Sequence, residues 1–243
     1  MRSKHEREFG AKIAAEDTER IWGWGTPAGK VRARRRARKI IAGARIVPEM
    51  QVLEIGCGTG IFTEFFAQTG AQIIAIDISP DLLEKAKRRG LPTGQVGFKE
   101  QNFQDIDVKV CFDAIIGSSV LHHLNLEKAL KKMRELLKPG GVISFAEPNM
   151  LNPQVFLERK LRFMKIFSYV TPDETAFVRA KLARLLSNMG FVDVQIEPFG
   201  WLHPAIPTGL IDYVTKIERV LEKIPLMREF AGSLYIFARV PKK

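Results

Sequence analysis

Between Gln51 and Pro148 the apolar positions switch repeatedly between two periods. Val52–Ile55, Gln72–Ile76, Val96–Glu100, Phe112–Gly117 and Val142–Ala146 are short runs, most of them near-continuously apolar or β-branched. That is the pattern of strands buried on both faces of a parallel sheet. Helical segments lie between them. Phe62–Gln68 is one. Pro80–Arg89 is a second, with Ser79 placed to cap its start, Pro80 in its first turn and Gly90 past its end. Leu126–Leu137 is a third, opened by Asn125 and stopped by the run Lys138-Pro139-Gly140-Gly141. Strands alternating with helices in this order predict a doubly wound α/β sheet.

After Pro148 the rhythm changes. Pro153–Phe167 has helical spacing and is rich in Phe, Arg and Lys; Asp173–Asn188 is a second helix, followed by Gly190. Phe191–Ile196 and Ser233–Val240 complete a set of seven strands. Between these last two lies Phe199–Gly232, too long for a hairpin loop and therefore an inserted element, with a helical pattern over Leu210–Ile224. Before the sheet, Ala33, Ala37, Ile40, Ile41 and Ala44 share one helical face, with arginines filling the remaining arc. The expected organisation is a helical cover and basic helix over residues 1–45 and a sheet domain over 46–243, with the insertion at 199–232.

Composition narrows the class. The 243 residues are 46% hydrophobic and 27% charged, so most of the chain is expected to fold. The longest uncharged stretch, Pro198–Ile211, holds three prolines and is too short to span a bilayer. The first ten residues are charged and lack the apolar core of a secretory signal. Two cysteines, Cys57 and Cys111, cannot form a disulfide framework, which points to a reducing, cytoplasmic setting. The net charge of +11 is concentrated: seven basic residues and no acid fall between Lys30 and Lys39, and without them the charge would be +4. Such a patch suits a solvated helix face, an anionic acceptor or RNA.

The chemistry-bearing signal is the run Val52–Gly60, VLEIGCGTG. Glycines at 56, 58 and 60 follow a strand and precede a helix, where a backbone can approach a nucleotide-like ligand. The dinucleotide fingerprint would need glycine at 61, which is Ile61, and no Gly-Lys-Ser/Thr follows. Glu54 precedes the first glycine by two residues. Asp77 closes the next strand 21 residues after Gly56, where two carboxylate oxygens can accept both hydroxyls of a ribose.

Together with Ala75-Ile76-Asp77-Ile78-Ser79-Pro80, Phe112-Asp113, Leu121-His122-His123-Leu124 and Leu137-Lys138-Pro139-Gly140-Gly141, this loop resembles the class I S-adenosylmethionine-dependent methyltransferases. The likeness is to the type 11 group, which includes the ubiquinone- and menaquinone-biosynthesis enzymes. It runs from about Ile46 to Pro148. It implies a Rossmann-like, mostly parallel seven-stranded sheet, S-adenosylmethionine as cofactor, and methyl transfer by in-line displacement to a small or lipid-like acceptor. An RNA methyltransferase and a non-catalytic S-adenosylmethionine-binding protein are the alternatives.

The resemblance also implies roles. Glu54, Gly56, Cys57, Gly58 and Gly60 belong to the loop under the methionine end. Asp77 would hold the ribose and Ile78 the adenine, flanked by Asn102 and Phe103. Ser118 would lie near the methionine or the transferring methyl. Cys57 reads as a small filler, since nothing beside it in sequence lowers a thiol pKa. His123, or its neighbour His122, is the candidate base if the acceptor has a proton to lose. No metal is expected, because adjacent histidines diverge and no carboxylate or thiolate stands at ligand spacing. Trp22 and Trp24 precede the basic run rather than interleave with it, which suits a pocket cover better than base stacking. The aromatic insertion fits a hydrophobic acceptor or a peripheral contact with a membrane. The oligomeric state is left open.

Overall fold

A computed structural model describes residues 2–106, 110–160 and 176–242. Ahead of the sheet come α1 (Arg2–Ala14), α2 (Thr18–Ile21) and α3 (Pro27–Ala44). The central run is β1 (Gln51–Ile55), α4 (Ile61–Ala67), β2 (Gln72–Asp77), α5 (Pro80–Lys87), β3 (Val96–Glu100), β4 (Phe112–Ser118), α6 (Leu126–Leu136) and β5 (Leu137–Pro148). It is followed by α7 (Pro153–Lys160), α8 (Arg179–Asn188), β6 (Val192–Phe199), α9 (Ile211–Leu221), α10 (Pro225–Arg228) and β7 (Ser233–Arg239). The strands form one sheet in the order β3-β2-β1-β4-β5-β7-β6. β7 runs antiparallel to both neighbours, and the other pairings are parallel. Strand order reverses between β1 and β4, the place where such sheets open a ligand crevice at the carboxyl ends of their strands.

Alternation along β1 divides the core. Val52 packs with Ala33, Ile40, Phe62 and Phe66 of α3 and α4, whereas Leu53 and Ile55 pack with Leu130 and Met133 of α6 and Leu182 and Leu186 of α8. Successive side chains of a strand point to opposite faces, so helices cover both sides, as the apolar runs require. Local signals fix the helix starts. Thr26 accepts from Gly29 N–H at 2.9 Å ahead of Pro27. Ser79 and Asn125 cap α5 and α6 in the same way.

Several boundaries differ from the sequence expectation. Helix α6 stops at Leu136, but the Lys-Pro-Gly-Gly run does not end in a loop: β5 begins at Leu137, which pairs with Phe112 before a register shift. β6 continues to Phe199, and its Pro198 costs no ladder bond in the middle of the sheet because β6 is an edge strand. The helix expected from Asp173 starts, within the described residues, at Arg179. Phe177 instead bridges to Asn149 and Val178 is extended; residues 173–175 lie outside the described residues. Helix α7 fulfils the Pro153 start, and 161–167 also lie outside.

The basic helix is less solvated than its composition suggests. Arg35 donates to Glu218 and Glu222 of the insertion, each at 2.5 Å, and Lys39 pairs with Glu197 at 2.7 Å. The two acids outweigh burial and raise the Arg35 pKa. Leu202 and Ile211 pack on Ala28, so the insertion is seated against α3. Arg36 is buried outright, contrary to an all-solvent arginine arc. Lys30, Arg34 and Arg38 remain exposed. No helix among the described residues is long and apolar enough to cross a membrane.

Candidate active site

The turn after β1 holds Gly56, Gly58 and Gly60 at φ of 66°, 53° and 77°, a region that side chains resist. Space makes the same demand. A Cβ on Gly56 would lie 2.4 Å from Val120 Cγ2, and one on Gly58 would lie 3.0 Å from the Trp22 ring. The loop is tied to the end of β2: Gly58 N–H donates to Asp77 Oδ2 at 2.8 Å and Ser79 N–H to Oδ1 at 2.9 Å. Burial raises the Asp77 pKa, and these N–H donors work against the rise. With the Ile78 N–H, three backbone donors face this carboxylate and favour its charged form.

Above this turn lies a cavity of about 330 Å³. Its floor includes Gly56, Cys57 and Gly58, with Asp77 and Ile78 at one side and Asn102 and Phe103 beyond them. Ser118, His122 and His123 line the opposite side, and Trp22 and Trp24 line it from the N-terminal segment together with Glu6, Phe9 and Ile13. Asn102 caps a single 3-10 turn: its Oδ1 accepts from Gln104 N–H at 3.1 Å and its Nδ2 donates to Asp105 at 2.5 Å.

Two residues grouped with the cofactor contacts stand back from the cavity. Gly60 caps α4 beneath the loop, where a Cβ would meet Ala86 at 3.0 Å. Glu54 lies in β1 behind the loop, 1% exposed, with Oε2 lacking a hydrogen bond. Burial pushes its pKa up to about 8; the Thr63 hydroxyl opposes this and the Asp77 charge adds to it. Burial likewise holds the Cys57 thiol well above its ordinary value, with the Asp77 and Glu54 charges adding to the shift, so Cys57 is not a thiolate nucleophile.

The far side of the cavity is built around Glu147 at the end of β5, which is fully buried. Its Oε1 accepts from Val120 N–H at 2.8 Å and Leu121 N–H at 2.9 Å, and its Oε2 lies 2.6 Å from His122 Nδ1. Burial alone would raise this carboxyl; His122 and the two N–H donors outweigh burial and hold it below the usual range. An ionised carboxylate only accepts, so Nδ1 carries a proton and donates to Glu147. His123 packs against His122 with ring centroids 4.1 Å apart and planes tilted by 39°, and its Nδ1 lies 3.0 Å from Glu6 of α1. The N-terminal helix therefore reaches the histidine pair directly.

Arg36 braces the same wall. Its Nη1 donates to Ser118 Oγ at 3.0 Å and Ser119 Oγ at 2.8 Å, and its Nη2 to Ser233 Oγ at 2.6 Å. Burial, reinforced by the Arg32 charge and opposed by Glu147, lowers its pKa to about 9. Its guanidinium lies 5.2 Å from the Trp24 ring centroid, and Trp24 meets Phe62 edge-on at 5.4 Å. Ser119 sits at φ 58°, a strained position for a non-glycine residue, held by its N–H to Ala146 O at 2.8 Å and by Arg36.

Sequence reasoning missed Glu147 and Arg36. The available signals were a lone acid closing an apolar strand, Phe145-Ala146-Glu147, and an arginine one helical step from the Ala33/Ala37/Ile40 face.

Comparison with known proteins follows this geometry. Residues 52–141 match the family described as a methyltransferase domain. The ubiquinone biosynthesis O-methyltransferase of Xanthomonas oryzae pv. oryzae (strain PXO99A) is 36% identical over 117 residues, which cover 46% of this chain and 46% of that protein. The chain thus spans about half the length of the curated relatives it matches. A solved complex of the Haloferax volcanii Trm112 methyltransferase activator with a methyltransferase superposes with a TM-score of 0.70 at 18% identity, covering 97% of this chain and 98% of that one. The N-methyltransferase NodS of Bradyrhizobium japonicum, solved with S-adenosyl-L-homocysteine, superposes with a TM-score of 0.65 at 17% identity, covering 98% and 100%. At these identities the structures bear on the fold. The family match spans the glycine loop, Asp77 and the Pro-Gly-Gly run, so residues 52–141 of the chain are similar to a methyltransferase domain.

Proposed function

We propose that this chain transfers the methyl group of S-adenosylmethionine to an oxygen nucleophile of a small or lipid-like acceptor. The observation that carries the proposal is one cavity joining the Gly56–Gly58 turn and Asp77 to the buried Glu147–His122 pair. The residues present fit the cofactor. The backbone at Gly56 and Gly58 is bare where any side chain would collide, and the Asp77 carboxylate lines the same cavity beside it. Gly56, Cys57 and Gly58 would pass under the methionine end, Asp77 would hold the ribose, Ile78, Asn102 and Phe103 would flank the adenine, and Ser118 would face the methyl side. When bound, the cofactor supplies a methyl already activated on a sulfonium sulfur.

The chain's own task is to align acceptor and donor, exclude water and remove one proton. Trp22 and Trp24 shut solvent from the cavity. His122, with Nδ1–H held by Glu147, would take the acceptor's hydroxyl proton at Nε2. His123, tied to Glu6, is the second candidate for that proton. Residues 1–45 serve as the cover, 46–243 as the cofactor-binding unit, and the insertion 199–232 as the element that selects the acceptor. A cytoplasmic setting is supported by two free cysteines, one buried and one exposed.

The test pairs a titration with S-adenosylmethionine and S-adenosylhomocysteine with labelled-methyl transfer to fractionated cell extract. Binding of both, with label appearing in a nuclease-resistant small-molecule or lipid fraction, is expected. Nuclease-sensitive label would make RNA the acceptor, binding without transfer would favour a non-catalytic protein, and tight uptake of a nicotinamide or flavin nucleotide instead would end the proposal. Within the same titration Asp77→Ala is expected to weaken cofactor binding by about 1.5–3 kcal/mol, since hydrogen bonds to a charged acceptor are lost. A change of less than about tenfold, the equivalent of 1.4 kcal/mol, would remove Asp77 from the ribose role.

A further inference from the structure

We propose that the outer face of α9, continued through Ile224 into α10, docks on an anionic lipid bilayer. The inner side of α9 is fully engaged. Ile211 is buried against α3, and Glu218 and Glu222 bind Arg35. The same two acids accept backbone N–H bonds from Gly200, Trp201 and Leu202. The outer side carries a second apolar stripe. Leu210, Tyr213, Ile217, Val220 and Ile224 follow one another at alternating steps of three and four residues, and all are exposed, Tyr213 by 65% and Val220 by 59%. Leu226 in α10 extends the stripe and is 72% exposed. A helix apolar on both sides, with one side already packed, presents a contiguous patch of the kind that marks an interaction surface.

Charge identifies the occupant. Lys216 and Lys223 border the stripe along one edge, with Arg219 next to them, and all three are exposed. Asp212 is the one exposed acid of α9, because Glu218 and Glu222 are spent inward on Arg35. A second copy pairing through this stripe would leave most of these cations unanswered. In an antiparallel arrangement the Lys216/Arg219/Lys223 edge faces its own counterpart, where Asp212 is the single acid against three cations. In a parallel arrangement it faces the row of Val214 and Leu221, which offers no acid. A bilayer with anionic headgroups satisfies both features at once: the apolar stripe enters the acyl boundary while the lysines snorkel to phosphate.

The surface also sits where it can matter. The insertion holds the tryptophan segment: Thr26 donates to Pro204 O at 2.8 Å, and Gly23 is close enough to Pro204 that a Cβ there would lie 2.7 Å from its ring. Docking through α9 would therefore bring the cavity's cover to the membrane, where a lipid-like acceptor resides. Vesicle binding does not depend on methyl transfer, so this proposal and the proposed reaction can fail separately.

The experiment is co-sedimentation of the full chain with vesicles of phosphatidylcholine alone or mixed with phosphatidylglycerol. Binding to the mixed vesicles at least about tenfold tighter than to phosphatidylcholine is expected, and it should weaken in high salt. Ile217→Asp/Val220→Asp should lower that binding about tenfold or more with an unchanged thermal transition, and Lys216→Gln/Lys223→Gln should reduce the preference for phosphatidylglycerol. Three outcomes would overturn the proposal. They are no sedimentation with either vesicle, Asp variants that bind as the parent does, and a concentration-dependent dimer that the Asp variants dissociate.

Discussion

His122→Ala is expected to lower the rate at saturating acceptor by about 10²–10⁴, with S-adenosylhomocysteine affinity preserved. The expectation comes from the wiring of the ring. Glu147 is fully buried, held below the usual carboxylate range by His122 and two backbone N–H groups, and bonded to Nδ1 at 2.6 Å. It holds the proton on Nδ1, so the proposed proton transfer from the acceptor would run through Nε2. Glu147→Gln tests that wiring more sharply than removal of the ring. The amide oxygen can keep the bonds from Val120 and Leu121, but the amide nitrogen must then face His122 and donate. Nδ1 becomes the acceptor, the proton moves to Nε2, and the base is lost with the fold intact. The Gln variant should approach the loss seen in His122→Ala, and the double variant should be little worse than either, because the two residues act as one unit. The acid limb of the pH–rate profile should disappear in both. Full activity in Glu147→Gln would exclude a base at His122; a large loss in His123→Ala alone would transfer the role to the ring paired with Glu6.

The contrast between the two walls of the cavity explains what could be read from the chain alone. The Asp77 wall is local. Glycines 56 and 58 and the acid that closes β2 belong to consecutive elements, and their spacing encodes turn, reach and charge within thirty residues. The opposite wall is assembled over long separations. Glu147 meets His122 from across β4 and β5, Arg36 meets Ser233, and Glu6 meets His123. No periodicity marks such partners. Arg36 is the clearest case, since it stands in a run of arginines whose composition signals solvent. Its burial depends on three serine hydroxyls and the Ala146 carbonyl that accept its protons. Boundaries failed for a related reason. Lys138-Pro139-Gly140-Gly141 ends a helix by local chemistry, but whether a loop or a strand follows depends on Phe112 being available to pair with Leu137.

Glu54→Gln is expected to stabilise the fold by several kcal/mol at pH 8 and by only about 1 kcal/mol at pH 5. The carboxyl is buried behind the glycine turn, and its pKa rises to about 8 chiefly through burial. In the unfolded chain the same group titrates near 4.3. Between these values the folded protein binds a proton that the unfolded chain does not, so stability falls as pH climbs through this window. The contribution is fully present below the unfolded value and is lost as pH approaches the folded one. At about 1.4 kcal/mol for each pH step, the loss across the window is of order 3–5 kcal/mol. Glutamine mimics the protonated form and has nothing to titrate, so the difference between variant and parent should grow from about 1 kcal/mol at pH 5 to several kcal/mol at pH 8. Other groups do not produce this difference: Asp77 titrates with the same sign and Glu147 with the opposite sign, but both are common to the two proteins. Urea unfolding of both proteins at intervals from pH 5 to 8 measures it directly. Parallel stability curves would mean that Glu54 is ionised in the folded state and that the orphaned Oε2 has found a partner in solution.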